Sequence, residues 1–138
     1  MNENTRNQTG SPSRDAFKRK HKDLAKYLYA CDVDFVLIDK EPFPDITAIL
    51  DYKATNDDIT FSEVIAYNGL IKRGLPVYIV QGDVDSGQFV ISRYLGGNHR
   101  RPIYQLKEIC KTSSWKEFEN WETRLRCDKK MRFSHREA

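Results

Sequence analysis

Two short runs rich in β-forming residues do most to limit what this chain can fold into: 33–39 (Val-Asp-Phe-Val-Leu-Ile-Asp) and 46–53 (Ile-Thr-Ala-Ile-Leu-Asp-Tyr-Lys). Pro42 and Pro44 lie between them, so the runs are expected to pair as an antiparallel hairpin. Each run carries an acid among apolar neighbours, Asp34 in the first and Asp51 in the second. Around this hairpin the rest of the chain punctuates itself. Ser11-Pro12-Ser13 can start a helix over 14–29, with Phe17, Leu24 and Leu28 along one face. Thr60 or Ser62 can cap a second helix that runs to Lys72 and is stopped by Gly74 and Pro76. A strand over 76–80, a turn over 81–87 and a strand over 88–95 follow, and Gly96-Gly97-Asn98 opens a loop holding His99, Arg100 and Arg101. Trp115, Phe118, Trp121 and Leu125 fall at helical spacing over 113–126. The order α-β-β-α-β-β-α predicts an α/β or α+β sandwich around a mixed sheet.

A chain of 138 residues has room for one core. The expected organisation is a disordered polar lead-in over 1–13, one domain over 14–126 and a fraying basic tail over 127–138. No apolar run approaches the roughly 18 residues that span a bilayer, and the lead-in lacks the apolar stretch of a secretory signal. The expectation is a cytoplasmic protein with no membrane partner. Cys31, Cys110 and Cys127 are far apart and form no Cys-x-x-Cys pair, which argues against a disulfide framework or a zinc site.

The distribution of charge says more than its sum. Residues 1–26 hold seven Lys/Arg against three acids, 27–92 hold four against eleven, and 93–138 hold twelve against six. An acidic middle between basic ends suits a cation centre beside a polyanion track, since divalent metals need carboxylates and phosphates need positive charge. Solvated surfaces with chance asymmetry are the alternative.

The triplet Asp51-Tyr52-Lys53, preceded by an acid-bearing strand and followed by a helix carrying Glu63 and Tyr67, resembles the PD-(D/E)XK nuclease superfamily. That superfamily sets one carboxylate on a strand and an acid-x-Lys triplet on the next, then a helix that often carries Gln-x-x-x-Tyr. The resemblance spans about residues 14–83 and implies a restriction-endonuclease-like core. It also implies Mg²⁺, with Mn²⁺ as a substitute, a backbone ligand from the Tyr52 carbonyl, and hydrolysis of DNA to a 5′-phosphate. Two departures stand out. The triplet begins with Asp where Glu is commoner, and the first helix lacks the Glu that some relatives add; Asp15 and Asp23 are weak substitutes.

Geometry selects the first carboxylate. Asp45 lies six residues before Asp51 in the same run, roughly 20 Å away on an extended strand, too far to share a cation. A turn around 41–44 that sets Lys40 against Asp45 brings Asp34 opposite Asp51, on the same face as Lys53. A one-residue slip would turn Asp34 away, and a bulge would restore it. The expected catalytic set is therefore Asp34, Asp51 and Lys53, with Glu63 and Tyr67 one turn apart on the helix in support. The two Asp side chains would hold the metal, and Lys53 would hold or help deprotonate the attacking water.

Lys18, Arg19 and Lys22 on the first helix, with His99, Arg100 and Arg101 in the loop, are the candidate phosphate contacts; solvated basic surfaces are the other reading. Trp115, Phe118 and Trp121 are expected to dock the last helix on its own domain rather than stack on bases. Asp83 and Asp85 read as turn residues, and His21 and His135 as inert. A homodimer would supply two sites for two strands. The rival to an enzyme is an inactive module of the same fold that binds nucleic acid or a protein.

Overall fold

The computed structural model describes residues 11–24, 33–40, 44–101 and 103–137, with side chains placed for all of these except 22–24 and 127–137. The chain divides into two compact units, residues 1–31 and 32–138. The first contains helix α1 (Pro12–Leu24). The Ser11 hydroxyl accepts from the Arg14 amide at 3.1 Å, which caps the helix start. Phe17 stacks on His21. Leu28 and the rest of the helix predicted to residue 29 lie outside the described residues.

The second unit runs β1 (Phe35–Asp39), β2 (Asp45–Lys53), α2 (Phe61–Lys72), β3 (Val77–Asp83), β4 (Gln88–Asn98), β5 (Ile103–Ser113) and α3 (Trp115–Glu137). Its five strands form one sheet in the order β1-β2-β3-β4-β5. Only β2 and β3 are parallel; the other neighbours are antiparallel. Among the described residues the fold is α+β, with three helices and a mixed sheet. The parallel step needs a crossover, and α2 supplies it.

Three expectations are corrected. The strand predicted to stop at Leu95 continues to Asn98, so Gly96 and Gly97 belong to β4 and only the tip carrying His99, Arg100 and Arg101 is turn. β5 was absent from the predicted order, which becomes α-β-β-α-β-β-β-α. Its weak alternation has a physical cause: it is an edge strand, exposed at most positions, and bulges at Ile91/Ser92 and Tyr94/Gly96 break the period of the ladder. Last, α3 runs to Glu137 rather than fraying after Arg126.

Alternation along the strands divides the core in two. Ala48, Leu50, Tyr78, Val80, Phe89 and Ile91 form one layer with Phe118, Trp121 and Leu125 of α3. Phe118 and Trp121 are buried as docking of this helix requires, while Trp115 stays half exposed, its indole donating to the Val84 carbonyl at 2.8 Å. Arg126 reaches across to Asp39 at the end of β1, at 2.8 Å. The opposite layer packs Ile49, Ile59, Val77, Ile79 and Tyr94 against Val64 and Tyr67 of α2.

Helix α2 is fixed at both ends and in its middle. Thr60 and Glu63 form a reciprocal capping box, Glu63 N donating to Thr60 Oγ1 at 3.3 Å and Thr60 N to Glu63 Oε1 at 2.9 Å. Gly74, at φ +85°, ends the helix in the left-handed region. Between them, Asn68 ties α2 to β4. Its amide donates to the Gly97 carbonyl at 2.8 Å, and its oxygen accepts from Gly97 N at 3.2 Å and Tyr94 Oη at 2.7 Å. Position 97 admits no side chain: a Cβ there would lie 2.7 Å from the Ile103 carbonyl and 2.9 Å from Tyr94 Oη. Gly97→Ala is therefore expected to destabilise the protein by about 1–3 kcal/mol, measured by urea denaturation; a variant as stable as wild type would show that the contact yields freely.

Candidate functional site

The β1–β2 register decides whether Asp34 meets Asp51. At the turn it is one residue off the expected pairing: Asp39, not Lys40, faces Asp45. A bulge after Leu37 then shifts the count, giving Leu37↔Ala48, Val36↔Ile49 and Phe35↔Leu50. Thr47 is the extra residue on β2. The next positions along the two chains are Asp34 and Asp51, so the bulge restores the predicted opposition. Asp34 Oδ2 accepts from the Tyr52 amide at 2.8 Å, which holds the carboxylate at the end of the ladder.

Asp51 sits beneath α2, only 2% exposed, and accepts a hydrogen bond from the Tyr67 hydroxyl on Oδ2. Tyr67 is fully buried and meets Tyr94 edge-on at 5.2 Å, so the phenol is held from behind. Burial pushes the Asp51 carboxyl up to about 7; a hydrogen bond with Asp34 and repulsion from Asp34 and Glu63 add to this, and Lys53 opposes it. The cation nearest in sequence does not neutralise Asp51, because Lys53 Nζ closes on Glu63 Oε2 in a part-buried ion pair. Glu63 thus uses one oxygen to cap α2 and the other to hold Lys53.

Tyr52, between the two, turns to the other face. Its hydroxyl donates to the Gly82 carbonyl at 2.8 Å and its ring meets Phe89 edge-on. Asp34, Asp51, Lys53, Glu63 and Tyr67 therefore converge where β2 ends and α2 begins. Residue type and spacing put Lys53 and Glu63 at the site without pairing them; the capping-box spacing from Thr60 to Glu63 is the signal that fixes where Glu63 points.

Compared with known families, with curated proteins and with solved structures, the chain shows no match. Among the described residues no group of three or more His, Cys, Asp or Glu side chains is arranged to hold a metal ion. Two hard-oxygen carboxylates pressed together, one of them buried and short of positive charge, still suit Mg²⁺. That ion keeps several waters and takes one or two carboxylates rather than a full protein cage.

Lys18 and Arg19 are exposed on α1, in the first unit, and the Lys22 side chain is outside the described residues. His99, Arg100 and Arg101 are exposed at the tip of the β4–β5 hairpin. Asp45 begins β2, away from Asp51. Asp83 accepts from the Ser86 hydroxyl at 2.7 Å and from the amides of Asp85 and Ser86, which hold its carboxyl below the usual range, as befits a turn residue. Cys110 is a free thiol; Cys31 and the side chains of Cys127, Asp23 and His135 lie outside the described residues. Among the described residues no helix is long and apolar enough to cross a membrane.

The raised Asp51 carboxyl sets a pH dependence. Between about 4 and about 7 the folded protein holds a proton that the unfolded chain has lost, so metal-free stability falls as pH rises through that window and levels off above it. Asp34 shares in this titration, and the loss is on the order of a few kcal/mol. Asp51→Asn keeps an acceptor for Tyr67 without the charge. The variant is therefore expected to be more stable than wild type at pH 8 without metal, with the gap closing towards pH 4. A gap independent of pH in denaturant titrations would contradict the burial of an ionisable Asp51.

Proposed function

We propose that the chain is a Mg²⁺-dependent nuclease with a restriction-endonuclease-like core of the PD-(D/E)XK kind, hydrolysing phosphodiester bonds of DNA. The observation that carries this reading is the meeting of Asp34 and Asp51 across the bulged hairpin, with Lys53 on the same face of β2. Such a juxtaposition has no benefit for stability: it leaves a buried acid with its carboxyl pushed up to about 7. Asp34, Asp51 and the Tyr52 carbonyl would hold the ion, which when bound supplies Lewis-acid polarisation of a phosphoryl oxygen and a water of lowered pKa.

The protein's own groups do the rest. Tyr67 fixes the orientation of Asp51 through its hydroxyl. Lys53, presented by Glu63, offsets charge developing on the phosphate and orients the attacking water. For this, the ammonium has to exchange part of its contact with Glu63 for the incoming phosphate. By the resemblance, attack is in line and leaves a 5′-phosphate. His99, Arg100 and Arg101, with Lys18, Arg19 and Lys22, are the proposed phosphate contacts, and a homodimer would bring one centre to each strand. A catalytically inactive module binding nucleic acid or a protein is the second reading, and the closed Lys53–Glu63 pair is the observation that favours it.

Cation binding separates the two. Under the nuclease reading, Mg²⁺ or Mn²⁺ raises the melting temperature, and Asp51→Asn abolishes the rise. In a plasmid nicking assay Lys53→Ala is expected to lower the rate by about 10²–10⁴-fold. Wild type that is stabilised by neither metal and nicks no DNA would leave only the module.

A further inference from the structure

The sheet face away from α2 carries a second set of cations. Arg93 of β4 and Lys107 of β5 are directly paired across the strands. At such positions Cβ atoms stand about 4.5–5.5 Å apart, and like charges weaken the pairing. Both residues are exposed, and among the described residues neither has a carboxylate within ion-pair distance. Alternation fixes their face. Arg93 pairs on its other side with Tyr78, which belongs to the α3-side layer. Tyr94, next to Arg93, belongs to the α2-side layer together with Asp51's partner Ile79.

Tyr78↔Arg93 is also the last pair between β3 and β4. Beyond it, β4 pairs with β5 alone, so the chain from Tyr94 to the tip and back is a two-stranded ribbon. Asn98 lies five positions beyond Arg93, about 16 Å of strand, and the tip beyond carries exposed Arg100 and Arg101. Leu95 and Ile103 are exposed between root and tip. A ribbon with cations at both ends matches a groove bordered by phosphates. Asn68 holds the ribbon's other face against α2, so its open face and its tip, rather than the whole ribbon, meet the phosphates.

We propose that Arg93 and Lys107 at the root of this ribbon, with Arg100 and Arg101 at its tip, form a second polyanion surface that grips a DNA duplex. Its phosphates supply the counter-charge that the opposed Arg93 and Lys107 lack among the described residues. Arg93 and Lys107 face away from Asp51, so the stretch of duplex they hold is not the one at the candidate reaction centre, and the tip arginines serve both stretches.

The test is fluorescence anisotropy of a short labelled DNA duplex, and of the single strand of the same sequence, in EDTA, where no metal-dependent cleavage occurs. The double variant Arg93→Gln/Lys107→Gln is expected to bind the duplex at least about tenfold more weakly and to lower the slope of log K against log salt by about 2. Lys116→Gln, an exposed cation of α3 paired with Glu119, should bind as wild type does. Each single variant should melt at or above the wild-type temperature, because the like-charge opposition is relieved. Unchanged affinity and slope in the double variant, equal binding of single strand and duplex by wild type, or a lower melting temperature in both single variants would overturn the proposal. Binding that follows these expectations in a protein that cuts nothing would remove the nuclease and leave this surface standing. Cleavage by wild type with unchanged duplex binding by the double variant would do the reverse.

Discussion

β2 is the element on which the other parts are aligned. It pairs with β1 on one side and β3 on the other, and its alternation sends Ile49 and Asp51 towards α2 while Ala48, Leu50 and Tyr52 turn towards α3. A strand covered on both faces normally reads as continuous hydrophobe. Here one of the covered positions is an aspartate. Its neighbours are arranged around that exception: the Tyr67 hydroxyl reaches it from above, Tyr94 backs the phenol, and Asn68 holds helix and hairpin together behind both.

Because β2 and β3 are parallel, the helix joining them has to start at the end of the sheet where β2 stops. That topological requirement brings the first turn of α2 to the end of β2 that carries Asp51 and Lys53. The acidic middle of the sequence and the amine of Lys53 are thus gathered by connectivity as much as by attraction. Aligned polar groups at the end of a strand, with apolar layers behind them, are the kind of arrangement in which protonation states depart from their solution values.

The parts of the fold legible in the sequence are those with strong local signals. The two apolar runs around the prolines, the Thr60 cap and the Gly74 stop all appear where composition placed them. The parts that were not legible depend on contacts distant in sequence. Gly96 and Gly97 resemble a loop, but Gly97 lies in β4 because Asn68 and Tyr94 crowd it from the helix side. The extra residue Thr47 leaves no mark in composition, yet it decides on which side of the hairpin Asp34 falls. The site residues were nameable because type and spacing carry chemistry. Their pairing was not, since Lys53 had several acids within reach and only the fold selects Glu63.

Glu63 links two properties usually considered apart. One carboxylate oxygen satisfies the amide that begins α2, and the other holds the ammonium of Lys53. Order at the helix start and placement of the strand's amine therefore vary together. Anything that draws Lys53 away, whether an anion or a rise in ionic strength, also removes one of the two contacts that hold the Glu63 carboxylate at the first turn of the helix covering Asp51.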